Sequence, residues 1–395
     1  MRQEYIYVGS WLDGKSKNNG GIHQFCFFKK EERLEHIASF LPGLSAGYMA
    51  FSPDNRFFYA VHEVKGGTDT DKYSAELYAF SVDQETGRLE LINNVPTNGV
   101  FANYVALDST GKYAFVGNYG SEDTVVRTVR DENGNYSLER IYDEGSVAVL
   151  RICEDGSIGG ICDIVQHTDK PSLRYPRLQS SPHPHSVNIS PDDNYVLVTD
   201  RGCDLLILYR FDRINGKLER VFDYTIDNGL GPRNSAFHPT RPYFFVLHEL
   251  YPYISSFGID QDTGKIIEIC TVPVVPREEI KDDLKDFLSM AHPADIRIHP
   301  NGVLLSVSVR GRDAIALYKI DVSTGQLRQL QLIDSGGNCP RTCSWDREGK
   351  HLFVGNQNSG IVKVMKFSEE CSVLEPSKAV AYVERPVCIK VWNPR

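Results

Sequence analysis

The chain has 395 residues, 41% hydrophobic and 24% charged, with 43 Lys and Arg against 52 Asp and Glu for a net charge of −9. This is the composition of an ordinary soluble globular protein, and Gly and Pro near background exclude collagen-like and low-complexity chains. The acidic balance argues against a nucleic-acid-binding surface, and with no run of 18 apolar residues no transmembrane helix is expected.

Met1–Glu4 leads directly into a strand pattern, Tyr5–Ser10, without the apolar stretch of a signal peptide, so a cytoplasmic protein is expected. Gly9–Ser16 has the spacing of a phosphate-binding loop. Such a loop must open a helix, and here the alternating strand Ile22–Phe28 follows instead. Gly43-Leu44-Ser45-Ala46-Gly47 has the spacing of a nucleophile elbow, but it runs into a strand, Tyr48–Phe51, where the elbow requires a helix. Both are read as accidental.

From Phe51 onward one unit recurs: an apolar strand, a tight turn rich in Pro, Asp, Asn or Gly, and a second strand ending in polar residues. The residue before the turn is Phe51, Leu107, Ile189, Phe237, Ile298 and Trp345 in successive copies. An alternating strand and a turn of the form Asp-x-x-Thr-Gly-x-Leu follow, as in Asp83–Leu89 and Asp321–Leu327. Four antiparallel strands, A to D, per unit of about 45–60 residues are the signature of a β-propeller blade. The fold class expected is all-β, a seven-bladed propeller forming one domain over 1–395. Its last blade is shared: Val387–Trp392 supplies strand A, and Tyr5–Ser10, Gly21–Phe28 and Leu34–Phe40 supply B to D.

Three segments stand outside the repeat. Gly120–Glu144 reads as an inserted hairpin, Thr124–Arg130 and Tyr136–Tyr142 around Asn133-Gly134. His167–Pro184 reads as a Pro- and Ser-rich loop. Arg277–Leu288 alone has helical spacing, with Ile280, Leu284, Phe287 and Leu288 on one face. The nine cysteines lie mostly in apolar strands, and the closest pair, Cys339 and Cys343, lacks Cys-x-x-Cys spacing, so they read as core residues of a reducing compartment.

In a propeller the starts of the A strands and the ends of the B strands share one face around the channel mouth. The A starts deliver Asn103 and Tyr104, His183 and His185, Arg233 and Asn234, His292 and Asp295, and Arg341. The B ends deliver His62 and Glu63, Asn118 and Tyr119, Asp200 and Arg201, His248 and Glu249, Arg310, and Asn356 and Gln357. Of these, Asp200, Arg201, Asn103 and Asn118 also suit a bracing role between loops and blades, and His183 suits loop bracing as well as a site. His62, His248 and His292, with Glu63 and Glu249, lack the i, i+2 or i, i+4 spacing of metal ligands, so no metal is expected.

The motifs Pro182-His183-Pro184-His185-Ser186, Gly231-Pro232-Arg233, His248-Glu249-Leu250, Arg310-Gly311 and Pro340-Arg341 resemble the seven-bladed propeller lactonase family. That family includes propeller-type 6-phosphogluconolactonases and carboxy-cis,cis-muconate cyclising enzymes. The resemblance spans essentially the whole chain and implies catalytic roles for His185, Arg233, Glu249 and Arg310. Substrate contacts would come from Glu63, Asn118, Tyr119, Arg201, Arg341 and Gln357. Asn234 and Val309 depart from the family pattern, which has His and often Asn there. The function implied is hydrolysis of a small anionic sugar lactone, 6-phosphogluconolactone in the pentose phosphate route, without a cofactor. His185 would be the general base on water, Glu249 would orient it or share its proton, and the arginines would hold the substrate anion and the oxyanion. A muconate cycloisomerase-like lyase and a non-catalytic binding scaffold are the alternatives.

Overall fold

Strand A of each internal blade ends at the residue where the repeat places its turn. In the computed structural model these strands are β4 (Ala46–Phe51), β8 (Ala102–Leu107), β14 (Pro184–Ile189), β18 (Pro232–Phe237), β22 (His292–Ile298) and β26 (Pro340–Trp345). Residues 4–12, 20–65, 74–227, 229–260, 262–280 and 290–392 are described. Each strand A pairs with an antiparallel strand B: β5 (Phe57–His62), β9 (Tyr113–Asn118), β15 (Tyr195–Asp200), β19 (Tyr243–His248), β23 (Leu304–Arg310) and β27 (His351–Asn356). Two more strands complete every four-stranded sheet, and seven such sheets form the ring.

The seventh sheet is the shared one. Its order is β3 (Arg33–Phe40), β2 (Gly21–Phe28), β1 (Glu4–Ser10), β30 (Pro386–Trp392), with Tyr5 opposite Trp392 and Val8 opposite Ile389. Pairing the two ends of the chain gives the N-terminal strands the inner edge they lack.

Neighbouring blades are joined by a repeated contact. A tyrosine of one strand B donates its hydroxyl to a backbone carbonyl of the next blade's outer turn: Tyr7 to Gly87, Tyr59 to Gly156 (2.9 Å), Tyr113 to Ile214 (3.1 Å) and Tyr243 to Ser323 (2.9 Å). Gly87 shows why glycine stands in these turns. Its φ is +69°, and a Cβ there would lie 2.5 Å from the Tyr7 hydroxyl. Turn conformation and blade docking are thus the same constraint. Buried side chains such as Tyr7, Tyr59, Phe115 and Trp392 pack between the sheets, so the core is a ring of inter-blade layers around a polar channel.

The insertion forms a separate two-stranded ribbon, β10 (Thr124–Arg130) and β11 (Tyr136–Tyr142), between strands B and C of its blade. The loop before β14 is tied down by backbone and side-chain bonds, among them Ser172 N–H to Gly202 O (2.9 Å) and Gln179 to Arg201 O (2.9 Å). The helix expected over Arg277–Leu288 is not found at its start. Arg277–Glu279 is one 3-10 turn, Ile280 is already extended, and 281–289 lie outside the described residues. Pro276 and the buried Val274 and Val275 just before it tie this turn to the strand before it. Of the phosphate-loop-like run, 13–16 lie outside the described residues, and the flanking elements are strands on both sides. Ser45 of the elbow-like run is fully buried, with its hydroxyl accepting from Leu12 N–H (3.2 Å), so no nucleophile is presented there. All nine cysteines are unpaired thiols, and among the described residues no helix is long and apolar enough to cross a membrane.

Candidate active site

Every strand A begins with a register break. Pairing skips from Pro184 to Ser186, Pro232 to Asn234, Pro293 to Asp295 and Pro340 to Thr342, which leaves His185, Arg233, Ala294 and Arg341 unpaired. The remaining blades break in the same place, at Gly47-Tyr48, at Asn103 and at Val387. A bulge re-aims the side chain it carries, and at six of the seven positions the bulged residue lines one pocket in the channel mouth. In five blades a proline precedes the bulged residue. Proline has no N–H to give the ladder, so it suits the end of pairing. Pro-x at five of the seven strand A starts is a sequence signal that marks these positions.

The residue after each strand B forms a second tier: Glu63, Tyr119, Arg201, Glu249 and Gln357, with Arg310 at the equivalent place in its blade. Its centre is Glu249. Arg310 contacts Oε1 at 2.5 Å, Arg233 Nε approaches the same oxygen at 3.4 Å, and Arg201 donates to Oε2 at 3.1 Å. Burial alone would raise the Glu249 pKa. Arg310, Arg233 and Arg201 outweigh it and hold the carboxyl well below its ordinary value. Arg201 also donates to Glu122 at the base of the inserted ribbon (2.5 Å) and lies over the Tyr119 ring (5.1 Å). The Tyr119 hydroxyl donates to Glu122 as well (3.0 Å).

One expectation changes here. Glu249 makes no hydrogen bond to His185; its oxygens are held by the three guanidiniums, so it organises the arginines and does not orient the histidine. His185 lines the pocket beside Arg233, with its Nδ1 buried and unpartnered and its ring edge-on to Tyr119 at 5.6 Å. Burial, then the Arg233 charge, drives its pKa well below the usual histidine value, so the imidazole is neutral at physiological pH. Burial pushes Arg233 down to about 9, which still leaves it charged near neutrality. Its Nη1 donates to Ala294 O, while Nη2 has no partner among the described residues. Arg341 has no carboxylate within ion-pair distance among the described residues; it reaches only Gln357 (3.4 Å) and the Trp11 ring (5.3 Å).

One residue earlier on each strand B lies a third tier that points into the blades. Asn118 is fully buried, donating to Ser146 (3.1 Å) and accepting from Thr97 (2.8 Å), so of the two roles read from sequence it takes the brace, and it does not line the pocket. Asn356 repeats this with Ser335 (2.8 Å). Asp200 accepts from His167 (2.7 Å) and from the backbone N–H groups of His183, Gly202 and Cys203. His248 meets Ser255 at 2.7 Å, and His62 accepts from Ser45 N–H at 2.9 Å. His183 is also a brace: it is fully buried, stacks on Tyr119 at 4.4 Å, and bonds Tyr119 O and Ser181 through its two nitrogens. Among the described residues no three His, Cys, Asp or Glu side chains converge as a metal would need.

The pocket floor is only partly legible in the sequence, which singles out Tyr104 and Asp295 but not Tyr48, Arg297 or Lys390. Tyr48 and Tyr104, from the A strands of neighbouring blades, stack at 4.0 Å, and Arg297 donates to the Tyr48 hydroxyl (3.1 Å) while pairing with Asp295 (3.0 Å). The Lys390 ammonium lies 4.3 Å over the Tyr48 ring, and burial, then the neighbouring Arg297, lowers it to about 8. The repeat places Tyr104 at the channel mouth, whereas Tyr48 reads from sequence only as the start of a strand.

The description "Lactonase, 7-bladed beta-propeller" belongs to the family whose profile matches residues 5–391. The 6-phosphogluconolactonase of Bacillus subtilis is 26% identical over 394 residues and covers 98% of both chains. That of Formosa agariphila is 24% identical with 94% of both chains covered. Among solved structures, the periplasmic gluconolactonase of Pseudomonas aeruginosa superposes with a TM-score of 0.81 at 24% identity, with 100% of both chains covered. At that identity the superposition speaks for the fold.

Proposed function

Because this chain belongs to the seven-bladed β-propeller lactonase family, we propose that it hydrolyses a phosphorylated sugar lactone, 6-phosphogluconolactone, to the open-chain acid, as in the pentose phosphate route. The observation that carries the substrate class is Arg341, a half-buried pocket cation with no carboxylate partner among the described residues. A guanidinium fork in that state suits a phosphate or carboxylate oxygen pair. The names of the curated relatives support the same substrate.

Lactone opening moves negative charge onto the carbonyl oxygen. Arg233 is the donor for that oxygen: among the described residues its Nη2 is unengaged, while its Nη1 donates to Ala294 O and its Nε stands 3.4 Å from Glu249 Oε1. Arg310 shares Glu249 Oε1 with Arg233 and keeps the donor aimed. His185 is neutral and takes the proton of the attacking water. Gln357 positions Arg341, and Tyr119 and Arg201 carry the inserted ribbon through Glu122, which makes the ribbon's base a wall of the site. The unpaired thiols support a reducing, cytoplasmic setting.

Rates corrected for spontaneous opening test this reading, with 6-phosphogluconolactone and its unphosphorylated counterpart compared. The phosphorylated lactone is expected to be preferred. Arg341→Ala is expected to raise its KM about 10- to 100-fold, as for a lost hydrogen bond to a charged group, while changing the unphosphorylated lactone little. A purified protein that speeds neither reaction overturns the proposal and leaves a binding scaffold.

A further inference from the structure

Three acidic side chains lie in or beside the pocket, and two of them are fully engaged. Glu249 is held by three guanidiniums. Asp295 accepts from Asn234, Thr342, the Cys343 N–H and Arg297. Glu63 is different. It lines the pocket with His185, Arg233 and Arg341, yet among the described residues no group donates to its carboxylate and no cation stands within ion-pair distance.

The chain makes room for it. Gly47, at the bulge opposite, has no positive φ, so no turn requires glycine there. A Cβ on residue 47 would lie 2.0 Å from Glu63 Oε2 and 2.8 Å from Glu63 Cβ. The glycine is needed for space, and the space is occupied by an unengaged carboxyl group facing a pocket that holds a neutral imidazole.

We infer that Glu63 is a catalytic residue, the general acid that protonates the ring oxygen as the lactone opens. The inference rests on the lactonase reading. Water attacks the carbonyl carbon and gives its proton to His185. The tetrahedral intermediate then collapses, the bond between carbonyl carbon and ring oxygen breaks with its electron pair on the oxygen, and Glu63 supplies that oxygen's proton. The proton on His185 returns through solvent to Glu63, and the sum is lactone plus water to hydroxy acid. The electrostatics agree. Burial raises the Glu63 carboxyl above its ordinary value against the lowering effect of Arg341 and Arg233, while burial and those same arginines lower His185. The two shifts favour an acid and a base coexisting at one pH. The other charged or titratable groups of the wall are Asp295, already engaged, and the phenols of Tyr48 and Tyr104, held high by burial.

The test compares leaving groups. An alkoxide needs a proton to depart, whereas a thiolate, with a thiol pKa of about 8.5, does not. Glu63→Gln is expected to lower kcat on the oxygen lactone about 10²- to 10⁴-fold and to remove the loss of kcat that the wild type shows as pH rises through the Glu63 pKa. On the sulfur-for-ring-oxygen analogue the loss is expected to stay within about tenfold, less than one general-acid contribution. Gly47→Ala, which displaces the carboxyl without removing it, is expected to give the same leaving-group pattern and serves should the Glu63 variant fail to fold. Equal losses on both substrates, or an unchanged pH profile, overturn the acid role. A wild type inactive on every lactone overturns the lactonase reading itself.

Discussion

Asn118 and Tyr119, Asp200 and Arg201, and His248 and Glu249 are chain neighbours at three equivalent strand ends. In each pair the first residue turns into its own blade and is completely buried, and the second joins the network at the channel mouth. The two tiers have similar polar composition. What separates them is strand alternation: successive side chains point to opposite sides, so one residue of register divides bracing from membership of the channel-mouth network. A polar residue at a propeller's strand end is therefore informative only once its register is known.

Removing a member of each tier should break different properties. The largest effect is expected at Asp200, whose carboxylate meets His167 and three backbone donors. Breaking a buried charged cluster of this kind costs about 3–5 kcal/mol. Asp200→Ala is expected to be insoluble or to melt far below the wild type, and a variant melting within a few degrees of it would show that the inner tier does not brace the fold.

The outer tier should respond in the opposite way. Arg233→Ala is expected to reduce kcat/KM about 10²- to 10³-fold, the usual loss for a missing oxyanion donor, with the melting temperature nearly unchanged. Glu249 keeps Arg201 and Arg310 in that variant, so no buried charge is left alone. Unfolding in step with the loss of activity would erase the distinction between the tiers.

The inner tier also predicts a pH dependence of stability. His248 is lowered to about 3 and His183 to about 4, both by burial first. Unfolded histidine titrates near 6.5, so between 6.5 and these values the unfolded chain binds more protons, and stability falls as pH is lowered through that window. Asp200 and Glu249, both lowered, extend the loss in the same direction at more acid pH. Thermal unfolding across pH 7 to 4 is expected to show this decline, and His248→Gln to flatten it.

The smallest effect sharpens the comparison at its closest point. Asn118→Ala is expected to cost about 1–3 kcal/mol, the range for unsatisfied buried partners, at unchanged kcat/KM. Gln357→Ala, one tier outward beside Arg341, is expected to raise KM for an anionic lactone a few-fold at unchanged stability, since only one long hydrogen bond is lost (3.4 Å). Reversed outcomes would assign Asn118 to the pocket after all.

The repeat itself was legible in the chain because it is local. Turn residues such as Asp83 and Gly87, alternating strands and the unit length specify four-stranded blades without reference to any distant residue, and the unpaired A strand at Val387–Trp392 implies closure with the N-terminus. His185, Arg233, Arg341 and Glu63 could be placed at the channel mouth on the same grounds. The helical pattern after Arg277 did not survive, at least at its start, because three residues of 3-10 turn packed against a strand end satisfy the local backbone there. What a side chain touches at the mouth depends on bulges and on neighbours from other blades. The distance from Arg310 to Glu249 spans 61 residues, and that from Tyr48 to Arg297 spans 249. So the sequence determined the blades, their number and which strand ends meet at the channel mouth, since those follow from short-range periodicity. Only the tertiary structure decided that Glu249 is held by arginines, that Asn118 is a brace and that Glu63 is unengaged, because hydrogen-bond partners and burial are properties of the closed ring.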